Sequence, residues 1–226
     1  MPTREEMLVH LTAPERRPAL LVVDVQNSFA DPELLASWGT PLEALELVAS
    51  AVAGTDRLVG LARAAGVPVI WIELASDPAR PWRASAWLRT GDPDTPYGPD
   101  EPCVVGTEGA RWYGVEPGAG EARVAKRGYS GFHGTGLADL LHEQGIDWVT
   151  VAGLTTECCV AATAVDAFQH GYPVVVATDA VAAYDLEVQR AALNQLELTS
   201  AVLASSADLQ RTWASWGAAR LTGAHR

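Results

Sequence analysis

Six runs of strand length, most of them apolar throughout, punctuate the chain at 18–23, 67–72, 122–125, 146–152, 173–178 and 200–204. Continuous apolar runs are expected of strands covered on both faces of a parallel sheet, whereas strands with one wet face alternate. Between the runs, apolar residues recur at helical spacing. Thr40-Pro-Leu-Glu43 reads as a capping box followed by Leu42, Leu45, Val48, Ala49 and Val52; this helix should reach Gly66, with a break near Gly54. Thr135 caps a second helix containing Leu137, Leu140 and Leu141 and closed by Gly145. A third follows the fourth strand and ends near Gly171; Asp185 caps a fourth, and a last one starts near Ser206. Strand alternating with helix predicts an α/β fold, a three-layer sandwich in which a six-stranded parallel sheet with right-handed crossovers is flanked by helices.

One stretch breaks this rhythm. Residues 75–121 crowd prolines, glycines and arginines around Trp82, Trp87 and Trp112, and predict a long irregular excursion with one short helix around Trp82 to Leu88. Excursions of this length commonly serve function. This one either covers a substrate pocket or serves packing and subunit contact. The chain, 1–226, is otherwise expected to form a single domain.

Composition narrows the function classes. At 226 residues and 48% hydrophobic content, the chain has enough material for one full core. No apolar run approaches bilayer-crossing length, and Met1-Pro-Thr-Arg-Glu-Glu6 lacks a basic-then-apolar signal, so a cytoplasmic, non-membrane protein is expected. A formal charge of −12 argues against nucleic-acid binding and weakly favours a neutral or cationic small molecule as partner. The three cysteines, two of them adjacent at Cys158 and Cys159, make a poor disulfide framework, and no Cys or His pair has zinc-ligand spacing. No metal and no cofactor is expected.

Ligands of open parallel sheets bind beyond the carboxyl ends of the strands, near the point where strand order reverses. Asp24 follows the first strand, Lys126 the third and the cysteine pair the fourth, so all three converge on one edge. A carboxylate accepts a thiol proton and an ammonium stabilises the anion that forms, which makes a nucleophilic centre. The pair also stands where a helix begins, and unpaired N–H groups there favour a thiolate and an oxyanion beside it. These residues alone do not choose between Cys158 and Cys159. They also leave open a packed thiol on a binding protein and a redox-active cysteine pair.

Three segments carry a resemblance. Leu20-Leu-Val-Val-Asp-Val-Gln-Asn-Ser-Phe29, Lys126-Arg-Gly-Tyr-Ser-Gly-Phe-His-Gly-Thr-Gly-Leu137 and Gly153-Leu-Thr-Thr-Glu-Cys-Cys-Val-Ala-Ala-Thr-Ala-Val-Asp-Ala167 resemble, in order, the motifs of the isochorismatase-like cysteine hydrolases. The likeness runs from about Pro18 to Ala204 and is weakest in the excursion. It implies a Rossmann-like sheet and an Asp-Lys-Cys triad of Asp24, Lys126 and Cys159, with Cys158 at a variable position. It further implies a cis peptide between Leu154 and Thr155 that aims the amides of Thr155 and Cys159 at an oxyanion, and a homodimer or homotetramer. Two departures narrow the activity. Residues 73–80, Glu-Leu-Ala-Ser-Asp-Pro-Ala-Arg, lack the Asp-x-His metal motif of nicotinamidases, and Cys159 stands where isochorismatases proper carry glycine. The resemblance therefore implies the metal-free branch that includes N-carbamoylsarcosine amidase, ureidoacrylate amidohydrolase and streptothricin hydrolase. Its members cleave amide, ureido or lactam C–N bonds through a thioester; the alternatives are hydrolysis of another bond type and a non-catalytic binder.

Substrate contacts are read from position alone. Phe29, Trp82, Trp87, Phe132 and His133, with Trp71 and Tyr129, are candidates for an aromatic wall at the predicted edge. Glu73, ending the second strand, is the candidate for a substrate amine or ureido group. The last helix, with Trp213 and Trp216, is a candidate subunit contact.

Overall fold

The computed structural model describes residues 3–11, 13, 15–98 and 100–221. A six-stranded parallel sheet has the order β3-β2-β1-β4-β5-β6, formed by β1 (Pro18–Val23), β2 (Val69–Leu74), β3 (Ala122–Lys126), β4 (Trp148–Leu154), β5 (Val174–Ala182) and β6 (Val202–Ala204). Strand order reverses between β1 and β4, the switch point at which such sheets bind ligands.

The central strands are apolar on both sides because both sides are covered. Along β1, Leu20 and Val22 enter one core cluster while Ala19, Leu21 and Val23 enter the other, the period-two division of a strand. The first cluster is closed by α1 (Arg4–Leu11), α4 (Leu42–Ala65) and α9 (Ser206–Leu221). The second is closed by α6 (Leu137–Glu143), α7 (Ala161–Gln169) and α8 (Leu186–Thr199). Two short helices, α2 (Asn27–Ala30) and α3 (Pro32–Ser37), follow β1, and α5 (Arg83–Thr90) lies in the excursion. Trp213 and Trp216 are buried rather than presented to a partner, because α9 turns them onto the first cluster. Among the described residues no helix is long and apolar enough to cross a membrane.

Two local expectations fail for identifiable reasons. Pro41 is extended (φ −61°, ψ 148°) and α4 begins only at Leu42 without a side-chain cap, while the Thr40 amide closes α3 by donating to Leu35 O. The helix is also unbroken at Gly54. A Cβ there would lie 1.8 Å from Asp179 O, so glycine marks the close approach of α4 to β5 rather than a helix end. Gly54→Ala gains about 1 kcal/mol of helix propensity. Forcing the backbones apart costs about 1–3 kcal/mol or more, so a net lower midpoint in urea unfolding is expected.

Candidate active site

Asp24 leaves β1 at φ +50°, a left-handed conformation that aspartate tolerates better than bulkier residues. Its amide donates to Ile72 O on β2 at 2.8 Å and its side chain is fully buried. At the adjacent end of β4, Gly153 (φ +114°) passes so close to β1 that a Cβ would meet Val23 O at 2.0 Å. This contact sets the following turn beside Asp24. The Leu154–Thr155 peptide is cis, and residues Thr156–Val160 form one π-helical turn that runs into α7. Cys159 sits in that turn.

Lys126 comes from farther away. β2 separates β3 from β1, so roughly two strand spacings of about 4.8 Å must be crossed, and the long lysine side chain does so. Its Nζ lies 2.6 Å from Asp24 Oδ2 and 3.4 Å from Cys159 Sγ, and donates to Gly128 O at 3.0 Å. The structure thus brings Asp24, Lys126 and Cys159 together.

Electrostatics assign the protons. Burial pushes the Asp24 carboxyl above its ordinary range, opposed in part by the Lys126 charge and by hydrogen bonding from Cys159. Burial works against the Lys126 ammonium, but the Asp24 charge and the hydrogen bonds to Asp24 and Cys159 outweigh it and raise its pKa. Cys159 is raised well above an ordinary thiol by its hydrogen bond with Cys158, by burial and by Asp24. The helix-start argument favoured a resting thiolate; the buried carboxylate and the desolvated setting reverse it. The raised pKa of Cys159 favours a thiol over a thiolate, and the 2.6 Å approach of Lys126 Nζ to Asp24 Oδ2 sets an ion pair beside it.

A cavity of about 210 Å³ opens onto this centre. Its inner wall includes Phe29, Tyr129, Thr155, Cys158, Cys159 and Tyr184. The excursion supplies the facing wall through Trp82, Ser85, Arg89, Tyr97, Glu101 and Pro102. Tyr97 Oη accepts from the Trp82 amide at 2.9 Å, and Arg89 is bridged to Glu101 at 2.5 Å. The excursion is pinned at its base by buried Gln26, whose Nε2 donates to Leu74 O (3.1 Å) and Ala110 O (2.9 Å) and whose Oε1 accepts from Leu74 N (2.9 Å). The Asn27 amide donates to Arg111 O, and Tyr113 N to Val25 O.

Phe29, Trp82 and Tyr129 therefore line the pocket as expected by position, Thr155 lines it as the resemblance implied, and five other candidates do not. Glu73 faces away and pairs with Arg123 on β3 (2.7 Å), since alternation along β2 gives Leu74, not Glu73, to the pocket. Trp87 is 58% exposed on the outer side of α5. Phe132 is buried in the second core cluster, stacked on His170. His133 is exposed and borders a separate outer cleft. Trp71 is also core, its Nε1 donating to Glu121 at 2.6 Å. Position missed Tyr184: β5 runs to Ala182 instead of stopping at Thr178, and Tyr184 follows it to the edge. The continued apolar residues Ala180, Val181, Ala182 and Ala183 were the available signal. Among the described residues no cluster of three His, Cys, Asp or Glu side chains is placed to hold a metal ion.

Residues 18–208 match the isochorismatase domain family. The chain belongs to that family. A maleamate amidohydrolase of Pseudomonas putida is 35% identical over 166 residues, covering 74% of this chain and 72% of the relative. A ureidoacrylate amidohydrolase of Methylobacterium radiotolerans is 31% identical over 196 residues, covering 79% of this chain and 72% of that one. Among solved structures, an isochorismatase family protein from Desulfovibrio vulgaris superposes with a TM-score of 0.72 at 30% identity, covering 88% of this chain and 99% of its own.

Proposed function

We propose that this isochorismatase family member is an amidohydrolase that cleaves a non-peptide C–N bond of a small molecule through a thioester on Cys159. One observation carries the reading: a single buried ammonium stands 2.6 Å from a carboxylate and 3.4 Å from a thiol, on the floor of a small pocket. The amidohydrolases among its relatives support the choice of bond.

In this mechanism Asp24 takes the Cys159 proton as the sulfur attacks the amide carbonyl carbon. The raised Asp24 pKa makes the carboxylate a stronger base than an exposed one, while Lys126 holds positive charge beside the forming thiolate. The carbonyl oxygen becomes an oxyanion that accepts from the amides of Thr155 and Cys159. Collapse reforms the carbonyl and breaks the C–N bond, and Asp24 passes its proton to the leaving nitrogen, released as ammonia or an amine. Asp24 then deprotonates a water that attacks the thioester. Thiolate is expelled, recovers the proton from Asp24, and the acid product leaves. Phe29 and Trp82 pack the substrate's apolar surface. The reading includes a homodimer or homotetramer, without cofactor, in the cytoplasm, where three free cysteines persist.

Acid quenching during turnover, followed by peptide mapping, should find the acyl mass on the Cys159 peptide. An unmodified Cys159 together with an active Cys159→Ser variant would overturn the thioester route.

A further inference from the structure

We propose that the amide hydrolysed here carries an anionic group at its far end, a carboxylate or equivalent, and that Arg127 receives it. The inference rests on the amidohydrolase reading and adds the charge of the substrate.

Besides Asp24 and Lys126, three charged side chains bear on the pocket: Arg89, Glu101 and Arg127. Arg89 and Glu101 satisfy each other across the bridge already described, and the Glu101 side chain is only 6% exposed. A carboxylate matched in this way offers nothing to a substrate cation. Arg127 is different. It donates to the backbone oxygen of Arg80, and among the described residues no carboxylate forms an ion pair with it; nearby Asp77 is held by Arg80 at 2.9 Å. A guanidinium has five N–H donors in a fork that fits a carboxylate with two parallel hydrogen bonds. The pocket wall is left with one uncompensated positive charge.

Its position suits the role. Arg127 directly follows Lys126, so the strand end that supplies the ammonium also sets the guanidinium. It borders both the inner pocket of about 210 Å³ and an outer cleft of about 690 Å³. Trp82 and Tyr129 meet edge to face with centroids 4.8 Å apart and border both spaces as well. A short amide with its carbonyl at Cys159 extends its other end past this aromatic pair to Arg127. The overall charge of −12 suggested the opposite preference. Screening over about 8 Å at physiological salt damps distant surface acids, whereas the guanidinium acts at contact.

Three amides of one chain length test this: succinamate (anionic), butyramide (neutral) and γ-aminobutyramide (cationic). The wild-type protein should favour succinamate in kcat/KM. Arg127→Ala should lower the succinamate-to-butyramide ratio by roughly ten- to a hundredfold, mainly through KM, and Arg127→Lys should recover part of it. Calorimetric binding of succinamate to Cys159→Ala protein, with and without Arg127→Ala, reads the same contact without chemistry. Arg127-dependent binding without turnover of any amide would sink the amidohydrolase reading and keep the anion site. Turnover at a ratio indifferent to Arg127, a preference for the cationic amide, or succinamate binding that is absent or independent of Arg127 would overturn the anion site.

Discussion

Cys159→Ala should reduce amide turnover by roughly ten-thousandfold or more, whereas Cys158→Ala should lose at most about tenfold. The two thiols are adjacent in sequence and both border the pocket, yet only Cys159 Sγ lies 3.4 Å from the Lys126 ammonium. In the proposed mechanism removing it deletes the nucleophile and leaves a pocket that would orient the amide beside a carboxylate and an ammonium. Cys158 is half-buried and shares a hydrogen bond with Cys159 that favours the thiol form of the latter. Its loss changes proton placement and local packing while keeping the reacting sulfur. Steady-state ammonia release by both variants, read against unchanged thermal midpoints, checks the pair. Comparable losses in both, or a larger loss in Cys158→Ala, would move the nucleophile to the neighbouring residue.

Lys126→Met should abolish turnover and also cost roughly 3–5 kcal/mol of stability at neutral pH, the scale for stranding a buried charge. The side chains of Lys126 and Asp24 are both 0% exposed, so water cannot replace the lost partner. Burial already raises the Asp24 pKa with the ammonium present, and its removal raises it further. The folded variant then binds a proton that the unfolded chain releases at lower pH. Its stability is fully present below the unfolded carboxyl pKa and is lost as pH rises through the higher folded value. Urea unfolding across that range should show the variant falling away from wild type as pH increases. Adding Asp24→Asn should restore most of the stability and flatten the pH dependence without restoring turnover. That double variant separates the structural debt of the ion pair from its chemistry.

Much of the architecture was legible because burial on two faces leaves an unmistakable trace: the runs at 18–23 and 146–152 are apolar at every pleat or nearly so. The meeting of Asp24, Lys126 and the cysteine pair was legible because the sheet's carboxyl edge follows directly from strand ends, but only the family resemblance separated Cys159 from Cys158. The pocket wall was much less so. Whether a residue beyond a strand faces inward depends on the last step of the pleat, which is why Glu73 was expected in the site and Leu74 is there. Phe132 followed a glycine turn whose direction no periodicity reports, and it enters the core. The α5 surface was legible as a helix but not in azimuth, so Trp82 and Trp87 looked equivalent although one lines the cavity and the other faces water. The Arg89–Glu101 bridge joins residues with no regular spacing between them, so only the folded excursion reveals it. Gly54 reads as a breaker because the sequence carries no sign of the β5 backbone waiting against it.

The Gln26 anchor has a consequence for how such enzymes diversify. Its hydrogen bonds fasten the outgoing end of the excursion at Leu74 and the returning segment at Ala110 to a residue only two positions after Asp24. Insertions or deletions in the 91–98 stretch therefore reshape the outer wall of the cavity without transmitting a shift to the carboxylate, the ammonium or the thiol. A change of loop length there is expected to alter which substrate fits while leaving the Asp24, Lys126 and Cys159 cluster in place.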